Sequence, residues 1–193
     1  MKDKMIDLTL IDSWNWTQPI FSSEEINRLN KIINERYVTT ERPEAGARDF
    51  DGNYLKNIKP KIIFYKDIKN EIYNLIENVY KLCHYSFGFT TFPANNWDEL
   101  LYNEYASDIR GKYGEHDDAS ESLLFDTKMT FLLNLSEEPY EGGDFLINGQ
   151  TQDFFRVPGT AILFKSYLPH EVTPVTKGKR TSLAHFINGP RFR

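Results

Sequence analysis

Cysteine is nearly absent from this chain. Cys83 stands alone, so no disulfide can form within it, and a reducing cytoplasm is the compartment to expect. Histidine is almost as scarce, with four in 193 residues. No apolar run approaches the roughly 18 residues needed to cross a bilayer. The opening Met1-Lys2-Asp3-Lys4-Met5-Ile6-Asp7 lacks the apolar core of a signal peptide. The expectation is a protein without a membrane partner. Positive charge is not in excess either: 23 Lys and Arg face 28 Asp and Glu, for a net charge of −5. Affinity for phosphate rests on clustered Lys and Arg, so no DNA partner is expected. Internal repeats and low-complexity tracts are missing as well.

What is present is core material. Hydrophobic residues make up 40% and aromatics 15% of the chain, enough to bury a sizeable interior. The length suits one domain over 1–193, with 1–86 as helical support carrying a long loop and 87–193 as the strand-rich part. A monomer is the expected state. Ser22-Ser23-Glu24-Glu25 reads as a capping box, and Ile26, Leu29, Ile33 and Arg36 follow at helical spacing, which predicts an amphipathic helix of about 14 residues. A second helix is predicted over 69–84, with Ile72, Leu75, Ile76, Val79 and Leu82 or Cys83 on its buried face.

Between the helices, 39–60 is polar and aperiodic, with Pro43, Gly46 and Gly52 favouring a loop. A loop this long is either functional or mobile, and the expectation is a lid over the substrate. From Phe87 onward the pattern changes to short strands, expected at 87–92, 100–106, 127–135, 143–147, 152–157, 160–165, 170–175 and 180–188. Turn signals separate them, among them Gly142-Gly143, Asn148-Gly149, Pro158-Gly159 and Lys177-Gly178. Short, evenly spaced strands predict a barrel or jelly roll, and the fold class is α+β, helices buttressing an antiparallel barrel.

The chemistry-bearing residues are few. In Tyr113-Gly114-Glu115-His116-Asp117-Asp118, residues i and i+2 of an extended segment face one way, so His116 and Asp118 can serve one ion. His170 can add a second imidazole. Two imidazoles and one carboxylate leave open positions on an octahedral ion, the arrangement that suits non-haem Fe(II) activating O2. Asp117 competes with Asp118, but adjacent residues of a strand point to opposite faces. Further on, Arg180, Ser182, Ala184 and Phe186 share one face of a strand. A guanidinium there can grip a carboxylate as a fork, with Ser182 adding a hydroxyl. His185 points to the other face, and His84 ends a helix. Trp97 is read as lining either a substrate groove or the core.

These pieces resemble the prolyl 4-hydroxylase-like branch of the 2-oxoglutarate and Fe(II)-dependent dioxygenases. The resemblance runs over roughly residues 100–188. It rests on Tyr105, Tyr113-x-x-His116-x-Asp118, Thr130 within Met129–Leu135, Glu141-Gly142-Gly143-Asp144-Phe145, Pro158-Gly159-Thr160 through Phe164, and His170-Glu171-Val172 leading to Gly178-Lys179-Arg180-Thr181-Ser182. It implies a double-stranded β-helix whose interior holds Fe(II) on His116, Asp118 and His170. It implies Arg180 as the partner of the far carboxylate of 2-oxoglutarate, with Tyr105, Thr130, Ser182 and Asn134 as further co-substrate contacts. Many members carry a tyrosine where this chain has Asn134.

Tyr113, Arg48, Phe186 and Trp97 are the expected substrate contacts. The implied reaction consumes O2 and 2-oxoglutarate, with ascorbate as a reductant, and hydroxylates prolyl residues of a protein or peptide, as procollagen-proline 4-hydroxylases do. Asp118 in the metal set indicates hydroxylation over halogenation, which needs a small residue there. Two other readings stay open: an oxygenase of a free amino acid, other small molecule or nucleic-acid base, and a barrel that has lost catalysis and only binds.

Overall fold

In the computed structural model, residues 11–38, 56–119 and 124–191 are described. The lid expected over 39–60 falls mostly outside them, and with it Arg48. Its end does not: 56–60 enters two strands.

The first helix, α1 (Ser23–Arg36), begins at the capping box. The Ser22 hydroxyl accepts the Glu25 N–H at 3.3 Å, and the Glu25 carboxylate accepts the Ser22 N–H at 2.8 Å. The second, α2 (Tyr65–Tyr85), starts a full turn before the expected Lys69 and has no side-chain cap. Its first free donors are met from elsewhere in the fold, Tyr65 N–H by Asp98 O and Lys66 N–H by Asn96 O. No local signal marks such a start.

Thirteen strands are present among the described residues. They are β1 (Ser13–Trp16), β2 (Lys56–Asn57), β3 (Lys59–Phe64), β4 (Glu99–Ala106), β5 (Lys112–His116), β6 (Asp126–Asn134), β7 (Glu141–Gly142), β8 (Phe145–Ile147), β9 (Gln150–Thr151), β10 (Ala161–Lys165), β11 (His170–Val172), β12 (Val175–Lys177) and β13 (Lys179–Gly189). One sheet has the order β1-β10-β6-β13-β4-β3, a second β2-β5-β11-β8-β9, and β12 pairs with β7. Every pairing is antiparallel. The fold is a jelly-roll double-stranded β-helix with helices outside.

Three expectations change. Residues 87–92 form no strand, because Gly88 takes φ +69° and the chain turns there. Residues 153–156 form a 3₁₀ turn instead of a strand. The part before residue 86 is not only helical support, since β1 and β3 are strands of the main sheet.

The large sheet is buried on both faces, which explains its unbroken apolar sequence. On β6, Phe131 and Leu133 pack outward with Leu163, Leu183 and Tyr102 against Ile26, Leu29, Ile33, Ile72, Ile76 and Val79 of the helices. Leu132 faces the other way, into the barrel, with Ile162, Phe164, Ala184, Phe145 and Val172. Cys83 lies in the helical layer, where burial pushes its thiol up to about 12. Among the described residues, no helix is long and apolar enough to cross a membrane.

His185 belongs to this outer layer. It is 3% exposed, its Nε2 is 3.2 Å from the Tyr80 hydroxyl, and burial pushes its imidazole down to about 4. An unfolded chain would protonate it near pH ~6.5, so as pH falls the unfolded state binds the proton first. Its contribution to stability is complete above that value and is lost toward pH 4. Urea unfolding should therefore show about 2 kcal/mol less stability at pH 5 than at pH 7 from this residue. A His185→Gln variant should lack that part of the loss.

Candidate active site

The register of two strands builds the centre. β11 pairs with β5 so that His170 lies opposite His116, their ring centroids 4.2 Å apart. Just past β5 the chain is caught by the Asp118 N–H donating to Ser166 O at 2.8 Å, which brings Asp118 back to the same side. The ligand atoms of His116, Asp118 and His170 all lie within 4.8 Å of one another. His170 Nε2 is 3.3 Å and His116 Nε2 3.7 Å from the Asp118 carboxylate. Asp117 turns away, its carboxylate accepting the Ala119 N–H at 3.0 Å.

Both imidazoles are oriented by the same local device. Nδ1–H of His116 donates to Gly114 O and Nδ1–H of His170 to Leu168 O, each at 2.9 Å. A carbonyl only accepts, so the proton sits on Nδ1 and each Nε2 keeps its lone pair for a metal. Tyr113 stacks on the His116 ring, 3.5 Å between centroids and 11° from parallel. Burial, reinforced by His170, pushes His116 down to about 4, so it is neutral near pH 7. Burial alone would raise the Asp118 carboxyl, but His170 and the Thr130 hydroxyl outweigh it and hold the group below the usual carboxylate value. Thr130 Oγ1–H donates to Asp118 Oδ2 at 2.7 Å. Two imidazoles that present Nε2, with an ionised carboxylate, are a donor set that fits Fe(II).

A narrow cavity, about 70 Å³, runs from these three side chains between the two sheets. Arg180 lines its far end at 1% exposure. Its guanidinium carbon sits 4.9 Å from the Tyr105 ring centre and 5.6 Å from that of Phe155, and Nη1–H donates to Ser182 Oγ at 3.4 Å. Nη2 is buried with no partner. An unmet buried cation fits a carboxylate, and a keto diacid reaching from metal to Arg180 supplies one. Tyr105 lies beside it, its phenol raised by burial against the pull of Arg180. Gly143 makes room: a Cβ there would meet Val175 Cγ2 at 2.8 Å and Arg180 Cδ at 3.2 Å, on a backbone at φ +64°.

The structure sorts the remaining expected contacts. Tyr105, Tyr113, Thr130, Ser182 and Phe186 line the cavity. Thr130 serves Asp118 directly, so its hydroxyl is already engaged before any co-substrate arrives. Asn134 is a correction. It is absent from the cavity wall because its amide nitrogen donates to Phe155 O at 2.7 Å and its oxygen accepts the Ser136 N–H at 2.9 Å, tying together two turns. Trp97 does not reach the metal cavity either. It lines a neighbouring groove with Phe125, Asp118 and Phe186. Arg48 lies outside the described residues. Lys56, Leu101, Asn103, Leu132, Phe145 and Val172 also line the cavity, and the sequence reading missed them. Strand parity with Tyr105 was the available signal for Leu101 and Asn103.

Comparison with known proteins agrees with this site. The family model described as the 2OG-Fe(II) oxygenase superfamily matches residues 100–188. The PKHD-type hydroxylase YbiX of Escherichia coli is 24% identical over 171 residues, covering 84% of this chain and 72% of the relative. In fold, a Pseudomonas putida prolyl-4-hydroxylase matches with TM-score 0.65 at 16% identity, over 96% of each chain. A viral collagen prolyl hydroxylase of Paramecium Bursaria Chlorella virus-1, solved with 2OG, matches with TM-score 0.68 at 13% identity, over 95% of this chain and 99% of that one. The matched strands are those that carry His116, Asp118, His170 and Arg180, so over residues 100–188 the chain is similar to the 2OG-Fe(II) oxygenase superfamily, with a site that fits Fe(II), 2-oxoglutarate and O2.

Proposed function

We propose that this dioxygenase hydroxylates prolyl residues within a peptide or protein. The observation that carries the reading is the open groove of about 520 Å³ beside the metal cavity, which shares Asp118 and Phe186 with it. The cavity itself has room only for compact reactants, whereas the groove can seat an extended chain and present one side chain past Phe186. The relatives named as prolyl and collagen prolyl hydroxylases support this assignment.

In this reading His116, Asp118 and His170 hold Fe(II), and Arg180 takes the far carboxylate of 2-oxoglutarate. Bound there, Fe(II) would supply O2 activation, for a reaction whose overall balance places one oxygen atom in the substrate C–H bond and the other in succinate, with CO2 released. The chain's own groups do the rest. Thr130 keeps the Asp118 carboxylate turned toward the metal. Leu101, Leu132, Phe145 and Val172 wall the cavity with apolar surface, which excludes water from reactive oxygen chemistry. Incubation of proline-containing peptides with Fe(II), 2-oxoglutarate and O2 should give a mass gain of one oxygen on proline, matched by succinate. Oxygen gain on free amino acids with none on peptides would overturn the peptide assignment.

Trp97 is the groove residue to change first. It is 65% exposed, set edge-on to Phe64 with centroids 5.7 Å apart, and covered on one face by Lys66 Nζ at 3.4 Å. An exposed aromatic held this firmly suits stacking against a prolyl ring or peptide bond. Trp97→Ala should raise KM for a peptide substrate about tenfold, the loss of roughly 1.4 kcal/mol, with KM for 2-oxoglutarate unchanged. Equal peptide KM in both proteins would remove Trp97 from the substrate path.

A further inference from the structure

A second polar side chain in the cavity wall is buried without being satisfied. Asn103 is 7% exposed, lines the cavity, and its Oδ1 has no hydrogen-bond partner. Such a group costs stability unless something meets it, and an unmet one in a native fold calls for an explanation. Its position supplies one. On β4 the residues facing the cavity are Leu101, Asn103 and Tyr105. The strand register sets Asn103 opposite Ser182 and Tyr105 opposite Arg180. The unmet Asn103 amide and the unmet Arg180 Nη2 therefore sit on adjoining rungs of one wall.

We propose that Asn103 is a further 2-oxoglutarate-binding residue, its amide nitrogen donating to the same carboxylate that Arg180 grips. The inference rests on the reading of Arg180 as the carboxylate clamp. The chemistry of the co-substrate decides the direction of the bond. At neutral pH 2-oxoglutarate offers only acceptor oxygens, so it is the NH2 end of the amide that meets it, and oxygen and nitrogen exchange places by a half-turn of the side chain. Ser182 then completes a circuit. Its oxygen already accepts from Arg180 Nη1, and its own proton is free to turn to Asn103 Oδ1 across the strand pair, where side chains directly opposite are about 5 Å apart. The Asn103 NH2 and the unmet Arg180 Nη2 then both meet the carboxylate, which makes the pair selective for a diacid. Strand parity with Tyr105 signals only that Asn103 shares its face of β4. Asn103 carries chemistry only because β4 and β13 align it with Arg180.

The test uses the full chain loaded with Mn(II) in place of Fe(II), titrated by calorimetry with 2-oxoglutarate and with 2-oxovalerate, whose chain ends in a methyl where the diacid has its far carboxylate. Wild type should prefer 2-oxoglutarate strongly. Asn103→Leu should weaken 2-oxoglutarate about tenfold or more, the range of a hydrogen bond to a charged group, and leave 2-oxovalerate within about twofold. The same variant should unfold without co-substrate at an equal or higher temperature than wild type, because an apolar side chain of similar size replaces an unmet amide. A merely structural asparagine would show the reverse, a lower unfolding temperature and unchanged affinity. Asn103→Asp, which keeps the shape, should weaken 2-oxoglutarate further by setting like charges together. Unchanged affinity in both variants overturns the inference while leaving Arg180 as the clamp. Failure of the wild type to prefer the diacid overturns the clamp itself, and the inference with it.

Discussion

Asp118→Ala protein is expected to fold and to turn over no measurable 2-oxoglutarate. The carboxylate is the one anionic donor among the three converging groups, with its side chain 11% exposed and its oxygens 3.3 Å and 3.7 Å from two imidazole nitrogens. Removing it leaves two imidazoles and no anionic donor, whose affinity for Fe(II) is far lower, since the metal's charge is no longer balanced in a site of low dielectric. Even loss of a group that only orients a ligand costs about 10–100-fold in metal affinity. Loss of the ligand itself should exceed that. The fold should survive because the backbone bond from Asp118 N–H to Ser166 O does not need the side chain. Metal titration followed by tryptophan fluorescence, with circular dichroism for the fold, reads both parts. Asp117→Ala is the matched control and should remain active, because Asp117 is committed to the Ala119 N–H. Near-normal succinate formation by Asp118→Ala would sink the metal assignment.

The second large effect belongs to Arg180→Lys, which should raise KM for 2-oxoglutarate by about 10–100-fold despite keeping the charge. The guanidinium is planar and lies between the Tyr105 and Phe155 rings, with Nη1 on Ser182 and Nη2 unmet. An ammonium has no plane to stack and no second parallel N–H to complete a fork. It would also sit short of the carboxylate in a space shaped for a longer side chain. Lys165, Lys177 and Lys179 do not compensate. Lys177 pairs with Glu141 at 2.9 Å, Lys165 with Asp12 at 3.0 Å and Lys179 with Glu104 at 3.4 Å, all away from the cavity. Lys179→Ala should leave KM for 2-oxoglutarate within about twofold. An Arg180→Lys protein with unchanged KM would mean the carboxylate partner lies elsewhere.

Local sequence was sufficient where a feature depends on neighbours in the chain. The capping box of α1 is written in Ser22 and Glu25, two residues within a run of four that needs nothing else. The apolar period of α2 names its buried face, and the two-residue period of β13 sorts its side chains onto two faces, because side-chain direction repeats with the backbone geometry. Parity alone put Arg180, Ser182 and Phe186 on one wall and His185 on the other, where the structure has them. The two-residue step from His116 to Asp118 likewise shows which acid can face the metal.

Other features depended on partners distant in sequence. The start of α2 at Tyr65 is set by carbonyls of Asn96 and Asp98, so the helix signal appears a turn too late. β1 and β3 became strands because the main sheet has edges for them to cover, a demand that Ser13–Trp16 and Lys59–Phe64 do not announce by themselves. Asn134 looked like a cavity residue by resemblance, yet two turns that need its amide claim it first. Thr130, expected as a co-substrate contact, lines the cavity with its hydroxyl on Asp118, because the loop after β5 is held near it by Ser166.

Taken alone, then, the order of residues determined which side chains can do metal and carboxylate chemistry and which face of each element they occupy. Those properties follow from residue type and from backbone periods of 2.0 and 3.6. Tertiary structure decided which of the candidates meet. It set His170 opposite His116, Ser182 opposite Asn103, and Trp97 in a groove outside the metal cavity. Strand register and loop return are sums over many weak, long-range contacts, and a single side chain carries no record of them.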